Sequence, residues 1–161
     1  MTNAQKLLEE GERLLNEFDF EGAYKKFTKA IKAQETPEAF FGRAEAALGM
    51  PEVDADNIIQ DYEKAIEMQD DPFYRQSVAS FCVEMGKFEK AENHYRKAAE
   101  MDPENRANYL SEFAVGYRYK APIMMQQYLA DGGEDIILRK AMGYMLEAMN
   151  IDREKARELL N

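Results

Sequence analysis

This 161-residue chain has one cysteine, one histidine and no tryptophan. A lone cysteine, Cys82, excludes an internal disulfide and fits a reducing compartment. A lone histidine, His94, excludes a multi-histidine zinc site and the H-E-x-x-H motif. No apolar run approaches the roughly 20 residues that cross a bilayer, so no membrane partner is expected. The opening MTNAQKLLEEGERLL has no basic stretch ahead of an apolar one and is interrupted by acids. No secretory signal is expected from it, and the expected location is cytoplasmic. Basic residues are scarce: 21 against 31 acids, a net charge of −10. Nucleic-acid binding depends on neutralising phosphates, and a chain without a basic stripe is not expected to do it.

The acidity is concentrated. Residues 37–71 hold ten acids and two bases, whereas residues 106–161 balance to zero. A cationic partner surface is the expectation, against the alternative of a solvated face that aids solubility. The hydrophobic content of 45% is that of a soluble globular protein. The length is that of one domain with its own core.

What is present is a repeat. Phe20, Ala23, Phe27 and Ala30 recur 68 residues later as Phe88, Ala91, Tyr95 and Ala98, and 68 is twice 34. A middle copy stands between them, with Tyr62 and Ala65 in the matching places and Ile58 where the others have alanine. It is one residue out of phase. The segment GMPEVDADN, residues 49–57, accounts for that as a loop carrying a small insertion. Each copy reads as two helices. KLLEEGERLLNEF, PEAFFGRAEAAL and DPFYRQSVASFCVEM show the i, i+3, i+4, i+7 apolar spacing and supply the first helices. Gly86 falls where a left-handed helix stop is wanted. Pro37, Pro72 and Pro103 fall where a proline can open a helix without losing a needed N–H.

These residues resemble the tetratricopeptide repeat, a 34-residue helix pair with the pattern W-x2-L-G-x2-Y…A-x3-F…P. Ala91, Tyr95, Ala98 and Pro103 meet its second-helix signature, as do Ala23, Phe27 and Ala30. The first helices match through Gly11, Ala44 and Ala79 and lack the tryptophan throughout. The resemblance implies an all-α fold, an α-solenoid of stacked antiparallel helix pairs, with three units over residues 4–103. The spacing Ala141, Met145, Ala148 extends the pattern into the tail. It predicts a fourth unit with first helix 104–119, an insertion 119–135 and second helix 138–151. In the insertion Pro122 starts a short helix and Gly132–Gly133 end it. A polar helix over 153–160, with Asp152 as its N-cap, shields the end of the array.

Catalytic constellations are missing. His94 lies between Asn93 and Tyr95 on a second helix and reads as an ordinary, partly exposed side chain. Cys82 sits beside Val78 and Ala79 on an apolar side, with no basic cluster to activate a thiolate. DADN, residues 54–57, begins like a calcium loop but puts Ile58 and Ile59 where a ligand and a glycine are required. GG at 132–133 is followed by Glu134 and Asp135, which repel phosphate. The expectation is no enzyme, no cofactor and no metal.

The family's geometry implies that first helices line a concave groove. It assigns Glu9, Glu12 and Asn16 to the first wall, Glu38, Phe41 and Glu45 to the second, and Phe73, Gln76, Ser80 and Glu84 to the third. An acidic groove with two aromatic anchors suits a protein or peptide with a basic or amphipathic segment. The subclass that grips acidic chaperone tails uses lysine, arginine and asparagine on these faces. Here those places carry Gln5, Glu9, Glu38, Gly42, Phe73 and Ser77, so an acidic tail is not the expected partner. The expected function is a non-catalytic interaction module. The alternatives are a small chaperone of the type III secretion kind, though the long leader usual there is lacking, and a self-assembling unit. Met142, Met145 and Met149 are expected in the core. The insertion, with Met124 and Met125 and a basic entrance at Arg118 and Lys120, is a candidate to occupy the groove.

Overall fold

A computed structural model describes residues 1–125 and 133–160. Among the described residues every regular element is a helix. In order they are α1 (Asn3–Asn16), α2 (Phe20–Ala33), α3 (Pro37–Ala47), α4 (Ala55–Met68), α5 (Pro72–Glu84), α6 (Phe88–Met101), a 3-10 turn (Pro103–Asn105), α7 (Arg106–Met125), α8 (Gly133–Ala148) and α9 (Arg153–Leu160). The chain divides into two compact units, residues 1–74 and 75–161.

Local chemistry starts the helices. Thr2 and Gln5 close a capping box on α1, with Gln5 N–H donating to Thr2 Oγ1 at 3.2 Å and Thr2 N–H to Gln5 Oε1 at 2.8 Å. Asp19 caps α2 by accepting from Gly22 N–H at 2.9 Å. Pro37 and Pro72 are the first residues of α3 and α5, and Pro103 of the 3-10 turn, each where its missing N–H costs nothing. Asp54 caps α4, so the helix starts at Ala55, inside the segment 49–57 expected as a loop, and Asp56 lies within it. Asp152 caps α9 through Lys155 N–H at 2.8 Å.

Three helix ends share one stop. The second residue after the helix takes a positive φ, and the next N–H reaches back to a carbonyl five residues earlier. Gly86 does this at φ 72°, with Lys87 N–H donating to the Cys82 carbonyl at 2.8 Å. Asn150 does it at φ 56°, through Ile151 and Leu146. Phe18 also does it, at φ 61°, through Asp19 and Leu14. A bulky side chain in the left-handed region is strained.

In the first unit α1 packs on α2 and α3, and α3 on α4. The core is built on the repeat's own positions. Phe27 is fully buried between two glycines: a Cβ at Gly11 would stand 2.8 Å from its ring, and one at Gly42 2.5 Å. The ring fills holes that only glycine leaves open, and Leu8, Leu14, Leu15 and Tyr24 close around it. Arg43 donates twice to Asp61, at 2.7 and 2.6 Å, and its guanidinium stacks over Tyr24 and Phe40.

The second unit packs α7 on α6 and on α8. Val78, Ala79, Cys82, Ala91, Tyr95 and Ala98 are buried from α5 and α6, and Phe113, Ala114, Tyr117 and Ala121 from α7. Arg96 on α6 makes a two-pronged contact to Glu147 on α8, at 2.6 and 3.0 Å, and Tyr144 O–H donates to Glu92 at 2.9 Å.

Three expectations for the tail change. The helix expected to end at residue 119 continues through Pro122 to Met125, so Pro122 lies inside a helix and does not open one. Burial of Tyr117 and Ala121 on the inner face offsets the lost hydrogen bond of a proline close to a helix end. Helix α8 begins at Gly133, earlier than 138, so Gly133 opens a helix instead of ending one. Met142 and Met149 are exposed rather than in the core, because Ile137, Ala141 and Ala148 take the inward face of α8. Of the insertion expected over 119–135 as a candidate to occupy the groove, residues 119–125 belong to α7 and 133–135 to α8, and residues 126–132 lie outside the described residues.

Candidate functional site

In the first unit an aromatic cluster forms where α3, α4 and the start of α5 meet. Phe41 on α3 is its centre. Its ring lies 4.5 Å from that of Tyr74 in a stacked arrangement, 5.4 Å from Phe73 and 5.6 Å from Tyr62. Proline opening explains the placement: Pro72 starts α5, and Asp71 Oδ1 fixes the turn by accepting from Phe73 N–H at 2.8 Å. Phe41 is half-buried, while Phe73 remains 59% exposed. Burial and then the charges of Glu38 and Asp71 raise the Tyr74 phenol above its ordinary range. Both carboxylates therefore act on the same ring cluster. An open aromatic face with carboxylates beside it attracts cations through the ring quadrupole and through direct charge.

Glu9, Glu12 and Asn16 are exposed on α1, and Glu38 is exposed on α3. Glu45, expected on the groove wall, has another use. It is half-buried and accepts from Tyr62 O–H at 2.6 Å, and burial raises its carboxyl above the ordinary value. Its oxygen completes the hydrogen bonding of a fully buried tyrosine.

The remaining expected residues belong to the second unit. Gln76 is half-buried and donates to Glu112 at 2.6 Å, the same carboxylate that accepts from Tyr95 O–H at 2.9 Å. Burial and the neighbouring Glu112 push the Tyr95 phenol well up. Ser80 is exposed, and Glu84 is exposed but ion-paired with Lys120. Glu45 and Glu84, two of the five wall glutamates, thus serve internal contacts.

The sequence reading missed a face in this unit. Val115, Tyr119 and Ile123 stand at four-residue spacing on α7, with Tyr119 70% and Ile123 69% exposed. The signal for them is the repeat itself. Ala44, Ala79 and Ala114 are all buried at intervals of 35, and the same step carries Ser80 to Val115 and Glu84 to Tyr119.

No group of three or more His, Cys, Asp or Glu side chains that could hold a metal ion occurs among the described residues. No described helix is long and apolar enough to cross a membrane. None of the curated proteins matches this chain. The family model for the tetratricopeptide repeat matches residues 74–105, which are helices α5 and α6 with the turn that follows. The matched pair carries the buried Ala91, Tyr95 and Ala98, and the same pattern is buried in α2 as Ala23, Phe27 and Ala30 and in α4 as Ile58, Tyr62 and Ala65. The chain thus carries a tetratricopeptide repeat over residues 74–105, and its described residues form an all-α, helical-repeat fold.

Proposed function

We propose that this protein is a non-catalytic interaction module of the cytoplasm that binds a peptide or partner protein on the faces of its first helices. Tetratricopeptide repeats serve as protein-binding scaffolds, and the finer reading concerns which surface binds and what it recognises. The observation that carries it is the aromatic face of Phe41, Phe73 and Tyr74 beside Glu38, with Phe73 open to solvent. The partner segment is basic or amphipathic: a lysine or arginine stacks on the rings and meets Glu38, Glu9 and Glu12. The second unit offers a face of its own, with Gln76 and Ser80 on α5 and the apolar Val115, Tyr119 and Ile123 on α7. Helices α7 and α8 continue the repeat as a fourth unit, on the strength of the common 35-residue step. An acidic chaperone tail is not the partner, because the first-unit face carries carboxylates instead of lysines.

The test is affinity capture from a native lysate with two baits matched for helicity and thermal stability. One is the wild type and the other carries Glu9→Lys, Glu12→Lys, Glu38→Lys and Phe73→Ala. Glu45 and Glu84 are left intact because they serve internal contacts. A prey held by the wild type and lost by the variant supports the reading, and its basic segment must bind as a synthetic peptide. A prey held equally by both removes the first-helix faces from the function.

A further inference from the structure

Helix α8 contains a glycine that the protein's own packing does not explain. A Cβ at Gly11, Gly22, Gly42 or Gly116 would meet another side chain within 3 Å. At Gly143 a Cβ would meet none of the described residues within 4 Å. Glycine in a helix interior is unfavourable relative to alanine, so an unobstructed one marks a place where something else comes close to the backbone.

Gly143 lies in the wall of a cleft of about 970 Å³ on this side of the second unit. Met142, Leu146 and Ile151 supply apolar lining, and Met142 is 50% exposed. Arg139 and Lys140 supply positive charge, while Arg106 is paired with Glu147. The two carboxylates in the lining have internal partners. Glu147 is held by Arg96 and Arg106, and Asp152 accepts from an amide of α9. Lys140 is positioned over the rings of Tyr117 and Tyr144, and Arg139 is exposed. With Arg106 paired to Glu147, Arg139 and Lys140 outweigh Asp152, so the cleft carries a net positive charge on a chain whose net charge is −10.

We propose that this cleft is a second docking site, separate from the first-helix faces, and that its occupant is an acidic amphipathic helix of a partner protein. The helix backbone approaches over Gly143, its apolar residues meet Met142, Leu146 and Ile151, and its carboxylates meet Arg139 and Lys140. Charge complementarity selects an acidic occupant over a basic one. A second copy of this chain fits less well. Helix α1, with three acids against two bases, has Leu8, Leu14 and Leu15 packed on its own core, which leaves mainly polar side chains outward.

The probe is a fluorescein-labelled amphipathic peptide of about 18 residues, five helical turns, with leucine at i, i+3, i+4 and i+7 and glutamate elsewhere. It is titrated into the full-length chain. Gly143→Leu fills the approach, and Arg139→Glu reverses a charge on an exposed position. Each is expected to weaken binding by about tenfold or more, whereas Phe73→Ala leaves it unchanged. Circular dichroism confirms that all three variants retain helicity. Absence of binding to the wild type overturns the proposal, as does equal binding by both cleft variants or loss in Phe73→Ala. Concentration-dependent self-association that Gly143→Leu abolishes would assign the cleft to a second copy, and so overturns it too.

Discussion

The two units each gather aromatic side chains around a buried ring from a second helix, and they treat those rings differently. In the first unit the cluster of Phe41, Tyr62, Phe73 and Tyr74 leaves Phe73 open, and its associated charges are the carboxylates of Glu38 and Asp71. In the second unit Phe113 lies within 6.0 Å of the rings of Tyr95, Tyr117 and Tyr144, and the cluster is closed by polar contacts. Tyr144 donates to Glu92, Arg96 holds Glu147, and Lys140 lies over two of the rings. The anchoring residues Phe27, Tyr62 and Tyr95 are equivalent and equally buried. The difference comes from what the neighbouring helices bring. Carboxylates around an exposed ring leave a surface that attracts cations, whereas a complete set of donors and acceptors leaves a structural joint.

The largest effect is expected where the units are alike. Phe27→Ala removes a ring seated between Gly11 and Gly42 and should cost about 3–5 kcal/mol in denaturant unfolding. A small loss would mean that α1 and α3 close over the hole. The joint in the second unit comes next. Glu147→Ala leaves Arg96 without its two-pronged partner and should cost about 1–3 kcal/mol. An unchanged midpoint would show that solvent replaces the pair without loss. At the turns, Phe18→Gly relieves a left-handed aromatic and should stabilise by up to about 1 kcal/mol, less the extra freedom of glycine in the unfolded chain. Gly143→Ala should stabilise by about 0.5–1 kcal/mol through helix propensity, since nothing obstructs the new methyl. A loss of stability there would mean that the cleft is tighter than its open face indicates.

Acid separates the two units by sign. Burial raises Glu45 above its ordinary 4.5, so its ionisation burdens the folded state at pH 7. That burden is relieved as pH falls through the raised value towards 4.5. The hydrogen bonds from Arg96 hold Glu147 below 4.5, so its contribution is complete above that value and is lost as pH falls through the lowered one. Hydrogen exchange read separately on α4 and α8 should show protection rising in α4 on mild acidification, and falling in α8 only at lower pH. Glu45→Gln, which keeps an acceptor for Tyr62, should raise the thermal midpoint at pH 7 and lose that advantage below 4.5.

Much of the fold was legible because the repeat writes its burial into the sequence. Alanine and an aromatic at fixed spacing mark second-helix faces, prolines mark helix openings, and Gly86 marks a stop. Phe18 was not legible as a stop, since a phenylalanine with positive φ has no sequence signature. Pro122 misled for the converse reason: a proline reads as a boundary, yet inward packing on α7 carries the helix past it. In the candidate site, the exposure of Phe73 and Glu38 follows the register of the first helices. Glu45 and Glu84 were assigned to the open wall because a carboxylate's partner on another helix is invisible along the chain.

The sequence by itself determined the helical class, the period of the repeat and the residues that bury, because each follows from side-chain volume and spacing along one helix. Only the tertiary structure decided which charges stay open and which are used internally, which ring remains exposed, and that Gly143 faces an empty cleft. Those properties depend on which side chains of different helices meet, and that distance is set by packing rather than by position in the chain.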